Sequence, residues 1–211
     1  MREIFKNVRE KLVAKYLKNN SLKGYSKNTK KFKPRIKARI RKNKQIISKN
    51  IDTFFDWIKG AELVELKTCN VKEDPVRPEL DNKFRTSYGR KIFGVKYNNE
   101  ICAIMCFGFT NEIPKTIEEF DLMTRDAQLQ SASWRNQKVG KIAIAYTVWS
   151  KKKGGGKLIV KEAYKKIKKS NHLNRLITLS PLTEMARNFH LRNGAKELSV
   201  NEKTQNFEYQ I

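Results

Sequence analysis

Apolar positions along the second two-thirds of the chain follow two different periods. In Ala61–Lys67, Lys91–Tyr97, Glu100–Phe109, Lys141–Trp149 and Arg175–Leu179 they run on continuously or fall at every second residue, which predicts strands. Asn98-Asn99 tolerates the positive φ of a tight turn, so Lys91–Phe109 reads as a hairpin. Residues 115–133, Lys157–Lys169 and Leu182–Asn193 carry helical spacing instead. In Lys157–Lys169, Leu158, Ile159, Ala163, Tyr164 and Ile167 form the inward side, and Gly194 closes the last helix in a left-handed cap. Lys196–Val200 and Phe207–Ile211 complete the pattern. The expected class is α/β (α+β), a mixed β-sheet flanked by helices.

Ahead of this lies a segment of another kind. Ile4, Phe5, Val8, Leu12 and Tyr16 sit at helical spacing among lysines, giving a short amphipathic helix over residues 2–18. Ser21 to Lys44 is rich in Lys and Arg, holds Gly24 and Pro34, and has few apolar residues to bury. Ile47–Ile58, with Ile51, Phe54, Phe55 and Trp57, reads as the first helix of a folded domain, stopped at Gly60. The expected division is a basic, partly helical arm over 1–46 and a folded domain over 47–211.

Charge sharpens that division. The formal net charge is +25, and residues 1–50 alone hold 18 Lys and Arg against 2 acids. Such a block attracts polyanions, so nucleic acid or another polyanion is an expected partner of residues 1–44. No run of eighteen apolar residues is present, so no transmembrane segment is expected. Three cysteines, with Cys102 and Cys106 four apart in one extended segment, predict free thiols and a reducing, cytoplasmic setting. His172 and His190 are the only histidines and no CxxC or HxxxH pair occurs, so no metal is expected.

The candidate chemistry begins at Trp149-Ser-Lys-Lys-Lys-Gly-Gly-Gly-Lys157, between a strand and a helix. Glycines there let backbone N–H groups turn inward at a helix N-terminus, an arrangement that binds phosphate, and Lys151, Lys152, Lys153 and Lys157 add charge. A triple glycine is also an ordinary flexible turn. The spacing is neither that of a Walker A loop nor of a dinucleotide fingerprint.

Lys151-x-x-Gly154-x-Gly156 in this context resembles the pyrophosphate loop of the GNAT superfamily, with Lys in place of Arg or Gln. Ala186-Arg-Asn-Phe-His190-Leu-Arg-Asn-Gly194-Ala195 is similar to the helix that follows in that superfamily, and places His190 where many members carry a tyrosine. Ile177-Thr-Leu-Ser-Pro181, Asn188-Phe-His-Leu-Arg-Asn-Gly-Ala195 and Cys106-Phe-Gly-Phe-Thr-Asn-Glu-Ile-Pro-Lys-Thr-Ile117 resemble stretches of malonyl-CoA decarboxylases. That family's long insertion between serine and histidine is reduced here to residues 181–189, and its N-terminal helical domain is missing.

The resemblance implies a GNAT-like domain that uses a coenzyme A thioester, malonyl-CoA or acetyl-CoA. Val148, Lys151, Lys152, Lys153, Gly154, Gly155, Gly156 and Lys157 would bind the coenzyme, and Ser180 and His190 would be catalytic. Decarboxylation of malonyl-CoA to acetyl-CoA is the first expectation, with His190 as proton donor and Ser180 holding the carboxylate or thioester. N-acyl transfer to an amine is the second, with Glu65, Glu100 or Asp121 as possible bases. A non-catalytic nucleic-acid-binding protein on the same scaffold is the third. Ser180-Pro181 as a helix cap and His190 as a helix-face histidine are the ordinary alternatives for those residues.

Overall fold

The computed structural model describes Trp57, residues 59–133 and residues 140–210. The chain divides into two compact units, Met1–Gly60 and Ala61–Ile211, and the architecture below belongs to the second. The predicted arm and the helix over residues 47–58 lie outside the described residues, apart from Trp57.

Seven strands form one sheet in the order β1-β2-β3-β4-β5-β7-β6: β1 Glu62–Leu66, β2 Lys91–Tyr97, β3 Glu100–Thr110, β4 Ile142–Ser150, β5 Arg175–Pro181, β6 Ala195–Val200 and β7 Thr204–Tyr209. The β4–β5 pair is parallel and the other pairs are antiparallel. The β2–β3 turn holds Asn98 and Asn99 at φ of 50° and 64°, as their side chains allow. Four α-helices accompany the sheet: α1 Asn82–Thr86, α2 Ile117–Ser133, α3 Gly155–Lys168 and α4 Glu184–Arg192. The elements predicted over 61–211 are present among the described residues, each within a few residues of its expected bounds.

Helix α2 covers one face, where Phe120 joins Ile92, Ile104, Cys106, Ile144, Tyr146 and Ile177 in the core. Its approach depends on Gly108, because a Cβ there would stand 2.4 Å from the Phe120 ring. Helix α3 lies on the opposite face and buries Leu158, Ile159, Val160, Ala163 and Ile167. Its buried stripe follows the helical period, and Lys161, Lys165 and Lys168 stay outside.

The long link between β1 and β2 is the part that periodicity did not foresee. It forms a 3-10 turn, Val71–Glu73, and then α1, capped by Asp81, whose side chain accepts from the Phe84 N–H at 2.7 Å. What ties it down is polar. Asp74 and Arg85 form an ion pair at 2.8 Å with both side chains fully buried. Asp74 also accepts from the Thr147 hydroxyl and from the N–H groups of Val76 and Arg77, and Arg85 donates to the carbonyls of Leu80 and Arg77. With so many donors and acceptors met, the desolvation of both charges is offset.

Removing one partner strands the other charge in the interior. Asp74→Asn should therefore lower the unfolding free energy by roughly 3–5 kcal/mol. Thr147→Val, which deletes one neutral donor to the same carboxylate, should cost about 1–3 kcal/mol. Urea unfolding monitored by tryptophan fluorescence checks both, and a change within error for Asp74→Asn would mean that the pair does not anchor the link.

Candidate active site

The site follows from a break in the sheet. Strands β4 and β5 pair in register only from Ile142↔Arg175 to Ala145↔Thr178. Beyond that point Thr147–Ser150 stays with β3 and Leu179–Pro181 stays with β7. A bulge coincides with the parting: Phe107 faces Ala145 while Cys106 faces Thr147, so Tyr146 is the extra residue. The two strand ends open a wedge between them. Arg77 spans its apex, donating from Nε to the Tyr146 carbonyl at 3.1 Å and from Nη2 to the Leu179 carbonyl at 3.4 Å. One guanidinium thus satisfies two carbonyls that have lost their strand partner.

The wedge widens into a cavity of about 660 Å³, lined from the sheet by Val148 and Ser180 and from the helices by Gly156, Phe189 and His190. Ser180 lies within β5, and Thr183 caps α4 instead, accepting from the Ala186 N–H at 3.3 Å. The register of β5 aims Ser180 at α4, where the ring of His190 meets it. Ser180 Oγ and His190 Nε2 are 2.8 Å apart, and His190 Nδ1 lies 2.9 Å from the Tyr209 hydroxyl. Ser180 Oγ also reaches Thr178 Oγ1 at 3.2 Å. A consistent assignment has Tyr209 donating to Nδ1, Nε2–H donating to Ser180, and the Ser180 hydroxyl turning to Thr178.

The ring is clamped as well as bonded. Phe207 stacks on it at 5.0 Å and 24°, and Phe189 meets it edge-on at 5.1 Å. His190 is 3% exposed, and burial pushes its pKa down to about 4. Burial likewise raises Tyr209 above the usual phenol range, so both groups are neutral near pH 7.

The Gly-rich loop arrives at the same cavity. Gly154 takes φ of 84° as the residue that caps α3, and the Lys151 N–H anchors the turn on the Cys102 carbonyl at 2.9 Å. In the first turn of α3 the N–H groups of Gly156 and Lys157 have no intrahelical acceptor, which suits an anion. A Cβ on Gly156 would stand 3.1 Å from the Phe189 ring, so the approach of α3 to α4 calls for glycine. Of the residues that the sequence singled out, Val148, Lys151, Gly156, Ser180 and His190 line this one cavity. Gly155 packs beneath it, close to Ser150 and Ala103. Lys152, Lys153 and Lys157 are exposed around the loop, with Lys152 over the Tyr97 ring at 4.4 Å.

The proposed bases fall elsewhere. Glu65 pairs with Lys91 and Asp121 pairs with Arg90 and Arg125, while Glu100 sits exposed at the hairpin. The carboxylate at the cavity is Glu73, held 2.6 Å from Lys151 Nζ. Tyr209, Thr178 and Arg77 escaped the sequence reading. Their one signal is polarity at positions that strand alternation or a core contact makes internal. Among the described residues no group of three or more His, Cys, Asp or Glu gathers as a metal site, and no helix is long and apolar enough to cross a membrane.

No protein-family model matches the chain, and no curated protein matches its sequence. Solved structures do resemble it. A malonyl-CoA decarboxylase from Rhodopseudomonas palustris aligns at 13% identity and a TM-score of 0.52, over 82% of this chain and 65% of its own. The loading GNATL domain of CurA from Lyngbya majuscula aligns at 11% identity and a TM-score of 0.51, over 71% of this chain and 97% of its own. A malonyl-CoA decarboxylase from Cupriavidus metallidurans aligns at 16% identity and a TM-score of 0.41, over 64% of this chain and 35% of its own. The chain therefore spans between about a third and two thirds of the decarboxylases. At these identities the likeness establishes the fold, which is GNAT-like.

The environment of His190 makes stability depend on pH. Its folded pKa of about 4 lies below the ordinary 6.5, so between these values the unfolded chain takes up a proton that the folded chain refuses. Stability is undiminished above pH 6.5 and falls by about 3 kcal/mol as pH drops to 4. Denaturant unfolding of the wild type and of His190→Gln across this window checks it, with the variant expected to lose that part of the slope.

Proposed function

We propose that the chain decarboxylates malonyl-CoA, or a closely related acyl thioester with a free carboxylate, to give acetyl-CoA. The observation that carries this reading is the Ser180–His190 hydrogen bond at 2.8 Å, set in a cavity that also receives the Gly-rich loop. The residues fit a coenzyme A thioester. The N–H groups of Gly156 and Lys157, with Lys151, Lys153 and Lys157, would hold its phosphates, and the wedge beside Val148 would take the pantetheine arm.

Loss of CO2 breaks the bond between the carboxylate and the α-carbon and leaves its electron pair as an enolate on the thioester. The carbon then takes one proton, so malonyl-CoA and a proton yield acetyl-CoA and CO2. Ser180 Oγ and His190 Nε2 are the donors at the cavity. Because the imidazole is neutral, a single proton carries their mutual hydrogen bond, and Tyr209 determines which ring nitrogen bears it. The burial of Ser180 and His190 favours loss of a carboxylate charge beside them and strengthens their hydrogen bonds to the enolate oxygen.

The competing reading is transfer of an acyl group from coenzyme A to an amine. That reaction needs a base to deprotonate an ammonium acceptor. Glu73, the carboxylate at the cavity, has its pKa lowered by its hydrogen bond to Lys151, which makes it a weak base. Decarboxylation consumes a proton instead, which neutral Ser180 and His190 can supply. The arm, with its excess of Lys and Arg, belongs to the same proposal as a polyanion-binding extension.

Given malonyl-CoA and no amine, the purified chain should release CO2 and leave acetyl-CoA without free thiol. His190→Ala should slow this by ~100-fold or more, and Ser180→Ala should also cost rate. Tyr209→Phe should cost less, about 10-fold, since it only frees the ring to change tautomer. Chromatography of the thioesters reads all three. Thiol release that appears only with an amine would favour the transferase instead.

The loop can be tested apart from the chemistry. Gly156→Val narrows the phosphate approach and presses on Phe189, so coenzyme A binding by calorimetry should be lost while the fold survives. Retained affinity would remove the loop from the site.

A further inference from the structure

The positive charge of the folded unit is concentrated to a degree that coenzyme A does not account for. Residues 151–169 hold nine lysines and one acid, whereas the rest of residues 61–211 hold 18 bases and 16 acids. All nine lysines are exposed. Four of them flank the loop and would suffice for the coenzyme's phosphates. The others continue along α3, away from the cavity. Lys157, Lys161, Lys165 and Lys168 follow spacings of four, four and three residues, so they share one helix face. That row is about 16 Å long, and Lys161 to Lys168 lie about 8–18 Å beyond Gly156 along the axis.

Helix stability does not explain the row. Lysines in the last turn complement the helix dipole, but Lys157 stands in the first turn, where positive charge opposes it, and Lys161 lies beyond the reach of either end. Neutralisation within the protein is partial. Lys165 meets Glu162 at 2.7 Å, but among the described residues Lys153, Lys157, Lys161 and Lys169 have no ion-pair partner.

We infer that this face of α3 beyond Lys157, from Lys161 to Lys168, binds the phosphate backbone of nucleic acid, irrespective of sequence and separately from the coenzyme. The face favours that partner over an acidic protein because it offers charge without anchors. No large exposed hydrophobic residue lies on α3, whereas protein interfaces centre on buried aromatic or aliphatic side chains. A phosphate backbone asks only for cations along a line, and the ~10 Å from Lys161 to Lys168 covers about three phosphates of one strand. An interfacial membrane helix would likewise carry apolar residues beside its lysines. The inference stands whichever acyl chemistry the cavity performs.

The test uses the full chain, whose arm contributes its own attraction, and so reads differences in salt dependence. Fluorescence anisotropy with labelled random-sequence RNA and duplex DNA compares the wild type with a Lys161→Gln, Lys165→Gln, Lys168→Gln variant. Losing up to three phosphate contacts should make the slope of log affinity against log salt shallower by about two to three. The corresponding triple Arg variant should keep the wild-type slope, and coenzyme A affinity should be unchanged in both. Saturating coenzyme A should leave nucleic acid bound.

An unchanged slope in the Gln variant would assign all binding to the arm and overturn the inference. So would loss of binding in the Arg variant, displacement by coenzyme A, or equal competition by polyglutamate of the same charge.

Discussion

The parting of β4 from β5 is the constraint from which the rest of the molecule can be understood. A parallel pair that stops after four residues leaves main-chain carbonyls facing a gap, and a folded interior does not tolerate them unpaired. Arg77 answers this from a link far away in sequence, and its position is held because the Asp74 carboxylate next to it accepts from its N–H and from Arg85. The buried ion pair, the bulge at Tyr146 and the cavity are therefore parts of one arrangement. Without the strut the two strand ends would close on each other or admit water.

The geometry of the Ser180–His190 pair has a similar economy. Ser180 and His190 come from consecutive elements joined by a turn of two residues, so their meeting needs little long-range organisation. The finer control is non-local. Phe207 and Tyr209 on β7 set the plane and the tautomer of the ring, and β7 is reached only after β6 has crossed the edge of the sheet. A histidine that is buried, stacked and doubly hydrogen-bonded has given up its ordinary titration near neutrality in exchange for a fixed orientation.

What the sequence made legible was local in origin. The Asn98-Asn99 turn, the Gly194 cap and the loop before α3 each announce themselves through backbone preferences of a few adjacent residues. Strand β7 shows where such reading runs out. Alternation of Phe207, Tyr209 and Ile211 suggested a strand starting at 207, yet it begins at Thr204 and runs through Gln205 and Asn206, all buried. Those polar side chains are internal because they serve main-chain carbonyls elsewhere, Gln205 at Pro181 and Thr183, Asn206 at Pro114 and Thr178. No hydropathy pattern marks a residue whose partner lies tens of positions away. Arg77 and Asp74 were missed for the same reason, since a charge in an interstrand link looks like a solvated one until its counter-ion is placed.

The sheet order carries a consequence for how the protein opens. Strands β1 to β4 are an uninterrupted antiparallel meander, each pairing with its successor, and β5, β7 and β6 make a second group through contacts nearly as local. The short β4–β5 ladder and the α3 crossover join them along the sheet, and the Arg77 strut and the Asn206 bond to the Pro114 carbonyl add two side-chain ties. The β4–β5 seam is the shortest ladder of the sheet, four residue pairs long, where breathing of the native state would first expose amides to exchange. The Ser180–His190 pair thus lies where the two groups of strands part company, at the seam along which the sheet would first separate.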